Sequence, residues 1–256
     1  MNLLDTMGLI STIALFAPVL LLLVSKLAWY KSFPALLFYY VLMLSYNLVN
    51  LHYFGFEDPS FAAYHKITNH MVEIPVILLF FTYFSRTVAF RKNLLIANLI
   101  FIVFEIGIIS IFGFGSRSIT IIMAPGLALI LFLSSMFFLH QVKIAVIHHK
   151  AIGKAIMVAS LLFAYAGYSF VYVVDYIVET PYKMDVYLIY FLVTIVTSVP
   201  MCVGIYFERR RVQQLSELQT TRQELKKIYG SEAAGDNSAT GPFGRVALNY
   251  DNDQWN

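Results

Sequence analysis

The chain of 256 residues is poor in cysteine and in charge, and each shortage excludes something. Its one cysteine, Cys202, rules out a disulfide framework and any cysteine-rich metal site. Cys202 lies in an apolar stretch and reads as a small buried hydrophobe. Charged residues make up only 13% of the chain, about half the share of an average soluble domain. A water-soluble fold needs a charged skin that this chain cannot supply. The net charge of +3 gives no reason to expect a nucleic-acid partner. G-x-S-x-G, H-E-x-x-H and P-loop patterns are also missing, so the expectation is a protein without enzymatic activity, cofactor or bound metal.

Apolar residues fill the space instead, at 59% of the chain and a mean hydropathy of +0.71. They gather in runs near the ~20 residues that cross a bilayer core. Seven spans are expected: Gly8–Trp29, Phe33–Phe54, Ala62–Phe84, Asn93–Phe114, Ile119–His140, Ala155–Val178 and Met184–Phe207. The fold class is therefore all-α, a polytopic seven-helix bundle over residues 1–207. Pro18, Pro75, Pro125 and Pro200 fall inside spans, where neighbouring helices can satisfy freed carbonyls. The first span lacks a basic leader and a small-residue cleavage site, so it is expected to be retained as a membrane helix. Spans one to three and five to seven show no internal similarity of the kind that marks repeat-built transporters.

The short loops set the expected orientation. One side carries Lys26, Lys31, Arg86, Arg91, Lys92, Lys143, Lys150, Lys154, Arg209, Arg210 and Arg211. The other carries only Lys66, Arg117 and Lys183. Basic loops stay in the cytoplasm, which puts the C-terminus inside and the N-terminus outside. Short loops, with no N-x-[ST] sequon in an outer one, are compatible with a bacterial inner membrane. Beyond Phe207 the composition turns polar. Residues 208–229 read as a cytoplasmic helix or stalk with Leu215, Leu218 and Leu225 among its sparse apolar positions. Residues 230–256 are rich in Gly, Asn, Asp and Ser and read as a disordered tail. Phe243, Tyr250 and Trp255 make the end of that tail apolar enough to dock a protein partner.

Ionisable groups inside membrane helices are expensive and are functional candidates by default. Glu73 and Glu105 each lie thirteen residues from the basic end of their span, Arg86 and Lys92. At ~1.5 Å per residue both carboxylates are expected at one depth, roughly 20 Å from the basic side. If they faced each other they would share a proton or bind a cation, because like charges in low dielectric cannot both stay ionised. His70 lies one turn from Glu73 on the same face, an H-x-x-E pair too small by itself to hold zinc. Asn47 and Asn50 lie along span two; Tyr165, Tyr168, Tyr172 and Asp175 form one stripe of span six, and Tyr187, Tyr190, Thr194 and Thr197 continue the pattern on span seven. The opposite halves of spans three and four, Val76–Phe81 and Leu94–Phe104, are nearly all apolar. A polar cavity open to the outside and closed toward the cytoplasm is expected, with Glu73, Glu105, His70, Asn47, Asn50, Tyr168, Tyr172 and Asp175 as its ligand-binding candidates.

Seven spans with the N-terminus outside is the layout of rhodopsins and receptor-like sensors, yet span seven holds no deep lysine for a retinal Schiff base. Glu208-Arg209-Arg210-Arg211-Val212-Gln213-Gln214-Leu215, with Leu218 and Leu225 beyond it, loosely resembles the cytoplasmic helix after seven-helix input modules of bacterial membrane sensors, some sensor histidine kinases among them. The resemblance covers that seam and the span count, and residues 230–256, read as a tail, are not expected to form a catalytic domain. It implies a sensor whose output passes through a partner. The leading expectation is a receptor-like protein that binds a small ligand in the outer cavity and signals through its cytoplasmic helix. A subunit or scaffold of a larger membrane complex, docking a partner through the tail, and a small ion-coupled transporter using Glu73 and Glu105 are the alternatives. Membrane lipids, a protein partner and a second copy of the chain are the expected contacts.

Overall fold

The computed structural model describes residues 3–51, 59–85, 87–148, 151–178 and 183–232. The main helices are α1 (Leu3–Val24), α2 (Phe33–Asn50), α3 (Pro59–Phe81), α4 (Val88–Phe112), α5 (Ser116–His148), α6 (Ile152–Tyr172) and α7 (Lys183–Glu232). Short 3₁₀ turns follow α1 and α3, and a π turn, Val173–Ile177, follows α6. No strand occurs among the described residues. The chain divides into two compact units, Met1–Arg209 and Arg210–Asn256.

Local chemistry explains where the helices begin and end. Lys26, with φ of 57°, turns the chain out of α1 and into the 3₁₀ turn Leu27–Trp29, which ends α1 before the expected Trp29. The Thr87 side chain accepts from Phe90 N–H at 3.2 Å and caps α4. That helix stops at Gly113, whose φ of +79° is open only to glycine at little cost. Ser118 Oγ then donates to Gly113 O at 2.6 Å and ties the start of α5 to that turn. No glycine or proline intervenes between Gly126 and Gly153, so α5 runs past the expected His140 to His148. Pro18, Pro75, Pro125 and Pro200 all lie inside continuous helices.

Among the described residues six helices are long and apolar enough to cross a membrane, and α2 contributes a shorter apolar stretch, Phe33–Val49. The exterior of the first unit is apolar, as a lipid-facing surface is. On α4, Leu95, Ile96, Leu99, Ile100, Val103 and Ile106 are exposed, while the stripe Leu94, Asn98, Phe101 and Glu105 is buried. Leu94–Phe104 therefore mostly faces outward rather than sealing the interior. The helix at the centre is α3, 72% of whose most apolar stretch is buried, against 22% for α4. Toward the C-terminal end of α3 the interior is rich in aromatic rings. Phe33 stands 4.8 Å from Tyr83, Phe80 5.2 Å from Phe84, and Phe81 5.6 Å from Phe137. The first two are edge-on, and such pairs each add about 0.5–1.5 kcal/mol beyond burial.

Candidate functional site

Toward the other end of the same unit the interior opens. A cavity of about 80 Å³ lies among α2, α3, α5, α6 and α7. Helix α3 supplies Lys66, Asn69, His70 and Glu73, which recur at i, i+3, i+4 and i+7 and so share one face. Helix α6 supplies Tyr168, Val171 and Tyr172, and α7 adds Val186, Tyr187 and Tyr190. Met43 and Tyr46 of α2 and Met123 and Leu127 of α5 complete the wall.

Glu73 is the buried acid of this cavity, 3% exposed. Tyr165 donates its hydroxyl to Glu73 Oε1 at 3.0 Å, and His70 Nδ1 stands 3.6 Å from Oε2, too far for a hydrogen bond but close enough for charge to act. Around them the tyrosines pack on one another. The Tyr168 and Tyr190 rings are 5.5 Å apart, Tyr46 meets Tyr190 edge-on at 6.3 Å, and Tyr46 lies 5.6 Å from the His70 ring. Their hydroxyls differ in satisfaction. Tyr172 OH donates to Thr120 O at 2.6 Å, and Tyr168 OH pairs with Thr194 Oγ1 at 3.2 Å. Tyr190 OH has no hydrogen-bond partner among the described residues, nor does either amide atom of Asn69, a side chain only 2% exposed. Buried polar groups are nearly always paired, so such orphans lining a cavity mark where water or a ligand belongs.

Of the residues expected at the site, Glu73, His70, Tyr168 and Tyr172 are brought together here. Glu105 is not among the lining residues. It is buried on the stripe of α4 that also carries Asn98 and Phe101, and its Oε1 has no hydrogen-bond partner among the described residues. The rotation between neighbouring residues explains the separation. Ile74 and Phe101 both press on Gly126 of α5, where an added Cβ would meet Ile74 Cδ1 at 2.2 Å and Phe101 Cζ at 3.0 Å. Glu73, about 100° round the helix from Ile74, turns to the cavity instead. Equal spacing from the basic ends of their spans did not put Glu105 on the wall of this cavity beside Glu73.

Asn47 is a clamp rather than a cavity residue. Its Nδ2 donates to Ser11 Oγ at 2.8 Å and Thr12 Oγ1 at 3.0 Å, and Gly8 lets α1 approach close enough that an added Cβ would lie 2.5 Å from Leu51 Cδ2. The side chains of Asn50 and Asp175 lie outside the described residues, as do Phe243, Tyr250 and Trp255. On α7, Leu215 is half-buried, while Leu218 and Leu225 are 57% and 46% exposed. Sequence reasoning passed over Asn69, Tyr46 and the two methionines as site residues, and took Lys66 for a loop charge. The spacing from Lys66 to Glu73 was the signal that would have found the α3 face.

A second polar cluster sits at the basic end of the same unit. The Tyr83 hydroxyl donates to Glu208 Oε1, and Lys154 Nζ lies 4.5 Å from the centre of the Tyr83 ring. Glu208 is fully buried and Lys154 only 6% exposed, although sequence position suggested a loop lysine and a solvated helix start. Gly153 and Gly204 are the reason. A Cβ on Gly153 would lie 2.8 Å from Glu208 N and 2.9 Å from Gly204 O, so the backbones of α6 and α7 touch there and close over both side chains.

Among the described residues no group of three His, Cys, Asp or Glu is placed to hold a metal ion. The chain matches no protein-family model, no curated protein and no solved structure.

Proposed function

We propose that this chain is a non-enzymatic, receptor-like membrane protein of seven spans that binds a small polar ligand in the Glu73 cavity and transmits the event along α7. The observation that carries the reading is the cavity itself, where a buried carboxylate, an unpartnered Asn69 and an unpartnered Tyr190 line one space. Helix α7 supports the second half of the proposal. Val186, Tyr187 and Tyr190 line the cavity, and Glu208, five turns further on, accepts from Tyr83 at the opposite end. A ligand that shifts α7 at one end therefore acts on a bond at the other. The α2 helix, 18 residues or about 27 Å long, nearly spans a hydrocarbon core and supports the seventh crossing. Eleven basic residues against three support an outside N-terminus, a cytoplasmic C-terminus and, in a bacterium, the inner membrane.

Two measurements test this. The purified full chain in mild detergent should release a small molecule on denaturation, and Glu73→Gln should release none. Returned to emptied protein, that molecule should change the emission of a fluorophore on Leu215→Cys in a Cys202→Ser background. A chain that carries no small molecule and a silent label would sink the reading. For orientation, Arg117→Cys should react with a membrane-impermeant maleimide in intact cells and Ala89→Cys only after lysis; the reverse pattern inverts the topology. The exposure of Leu218 and Leu225 on an otherwise polar stretch favours a second reading, a partner-binding subunit of a membrane complex. A stoichiometric partner lost on replacing both leucines by serine, with no bound small molecule, would decide for it.

A further inference from the structure

We infer that the cavity takes a small organic ammonium ion, with the Glu73 carboxylate as its counter-ion and tyrosine rings as its walls. This rests on the ligand-binding reading above and names the ligand class of that same site.

Charge comes first. A carboxylate accepts about four hydrogen bonds, and among the described residues Glu73 receives one, from Tyr165, with His70 Nδ1 at 3.6 Å. An under-supplied buried carboxylate is satisfied by a ligand that brings N–H donors and positive charge, and it repels an anion. The charged groups of the wall are Lys66, His70 and Glu73. Lys66 stands two helical turns from Glu73, about 10 Å along α3, so the part of the cavity next to the tyrosines is set by the acid.

The walls agree with the charge. A cation is attracted to an aromatic face within about 6 Å, and Tyr46, Tyr168 and Tyr190 present rings around the same space as Glu73. Asn69 Oδ1, unpartnered among the described residues, offers a second acceptor for an N–H, while Met123 and Leu127 take alkyl carbon. Volume sets the size. At about 10–15 Å³ for each water-sized position, the 80 Å³ holds roughly six heavy atoms. A mono-, di- or trimethylated amine or a short alkylammonium fits that count.

The test is thermal melting of the full chain in detergent against rising methylammonium, ethylammonium and trimethylammonium chloride, with sodium chloride holding ionic strength constant. Acetamide and sodium acetate serve as neutral and anionic probes of similar size. The expected result is a melting temperature that climbs with the ammonium ions alone. The apparent affinity should fall at least about tenfold in Glu73→Gln, a rise of about one unit in log Kd. Tyr190→Leu should weaken binding more than Tyr190→Phe, which keeps the ring. Equal responses to acetamide and ethylammonium, or undiminished affinity in a helical, monodisperse Glu73→Gln, overturn the inference. Should that variant fail to fold, Tyr46→Leu and Tyr190→Leu decide instead, and unchanged affinity in both overturns it. Ammonium binding with a silent Leu215→Cys label leaves this inference standing and removes the receptor reading. A label that answers to acetate but not to any ammonium ion does the opposite.

Discussion

The two ends of the first unit are built from the same parts and end as different things. Each has a buried glutamate, Glu73 or Glu208, that accepts from a tyrosine hydroxyl, Tyr165 or Tyr83. Each has a basic side chain close by, His70 beside Glu73 and Lys154 over the Tyr83 ring. What differs is the backbone spacing of α6 and α7. At the basic end Gly153 and Gly204 bring main chain against main chain. Near the cavity the atoms nearest to Gly167 belong to the Val193 side chain rather than to backbone, and the Tyr168 and Tyr190 rings lie 5.5 Å apart. Membrane helices associate through close packing and modest hydrogen bonds, so glycine placement decides where they seal. The same acid–tyrosine pair becomes a rivet where the helices touch and lines a cavity where they part.

Four substitutions press on this contrast. The largest effect is expected from Gly204→Leu, because the new side chain would enter the space of Met157 and the Gly153 carbonyl; a loss of about 3 kcal/mol should appear in thermal or denaturant unfolding. Next, Glu208→Ala should cost about 2 kcal/mol, since it leaves the buried Tyr83 hydroxyl without its acceptor. Glu73→Gln should cost less than half of that, because a ligand site gives up stability for function. A Glu73 variant that melts lower than the Glu208 variant would reverse the roles assigned to the two ends. The last effect carries the opposite sign. Asn69→Leu removes two unpartnered buried polar atoms and should stabilise the empty protein by about 1 kcal/mol. A destabilised Asn69→Leu would mean that the amide is structural.

Legibility in the sequence followed range. Apolar runs disclosed the six long apolar helices found among the described residues and the shorter α2, because a run of apolar residues needs no partner to be recognised. Their ends were less legible, as α5 and α1 illustrate, since a helix continues into polar sequence until a glycine, a proline or a left-handed residue stops it. At the site, Glu73, His70, Tyr168 and Tyr172 were legible because helical spacing puts each pair on one face. Glu105 was misread because depth along a helix says nothing of rotation about it, and one residue is worth about 100°. Asn47 was misread for a related reason: whether an asparagine faces a cavity or a neighbouring helix depends on which helix lies beside it.

The sequence by itself determined that the chain is helical and apolar, which of its ends is basic, and that a few ionisable groups lie within the apolar stretches. These are properties of composition and of spacing along one helix. Only the tertiary structure decided that Glu73 opens onto a cavity while Glu105 does not. It also decided that Lys154 and Glu208, outwardly a loop charge and the start of a polar helix, are buried beneath Gly153 and Gly204. The physical reason is that burial is a property of pairs of helices. It is set by where two backbones can approach, and no single helix carries that information.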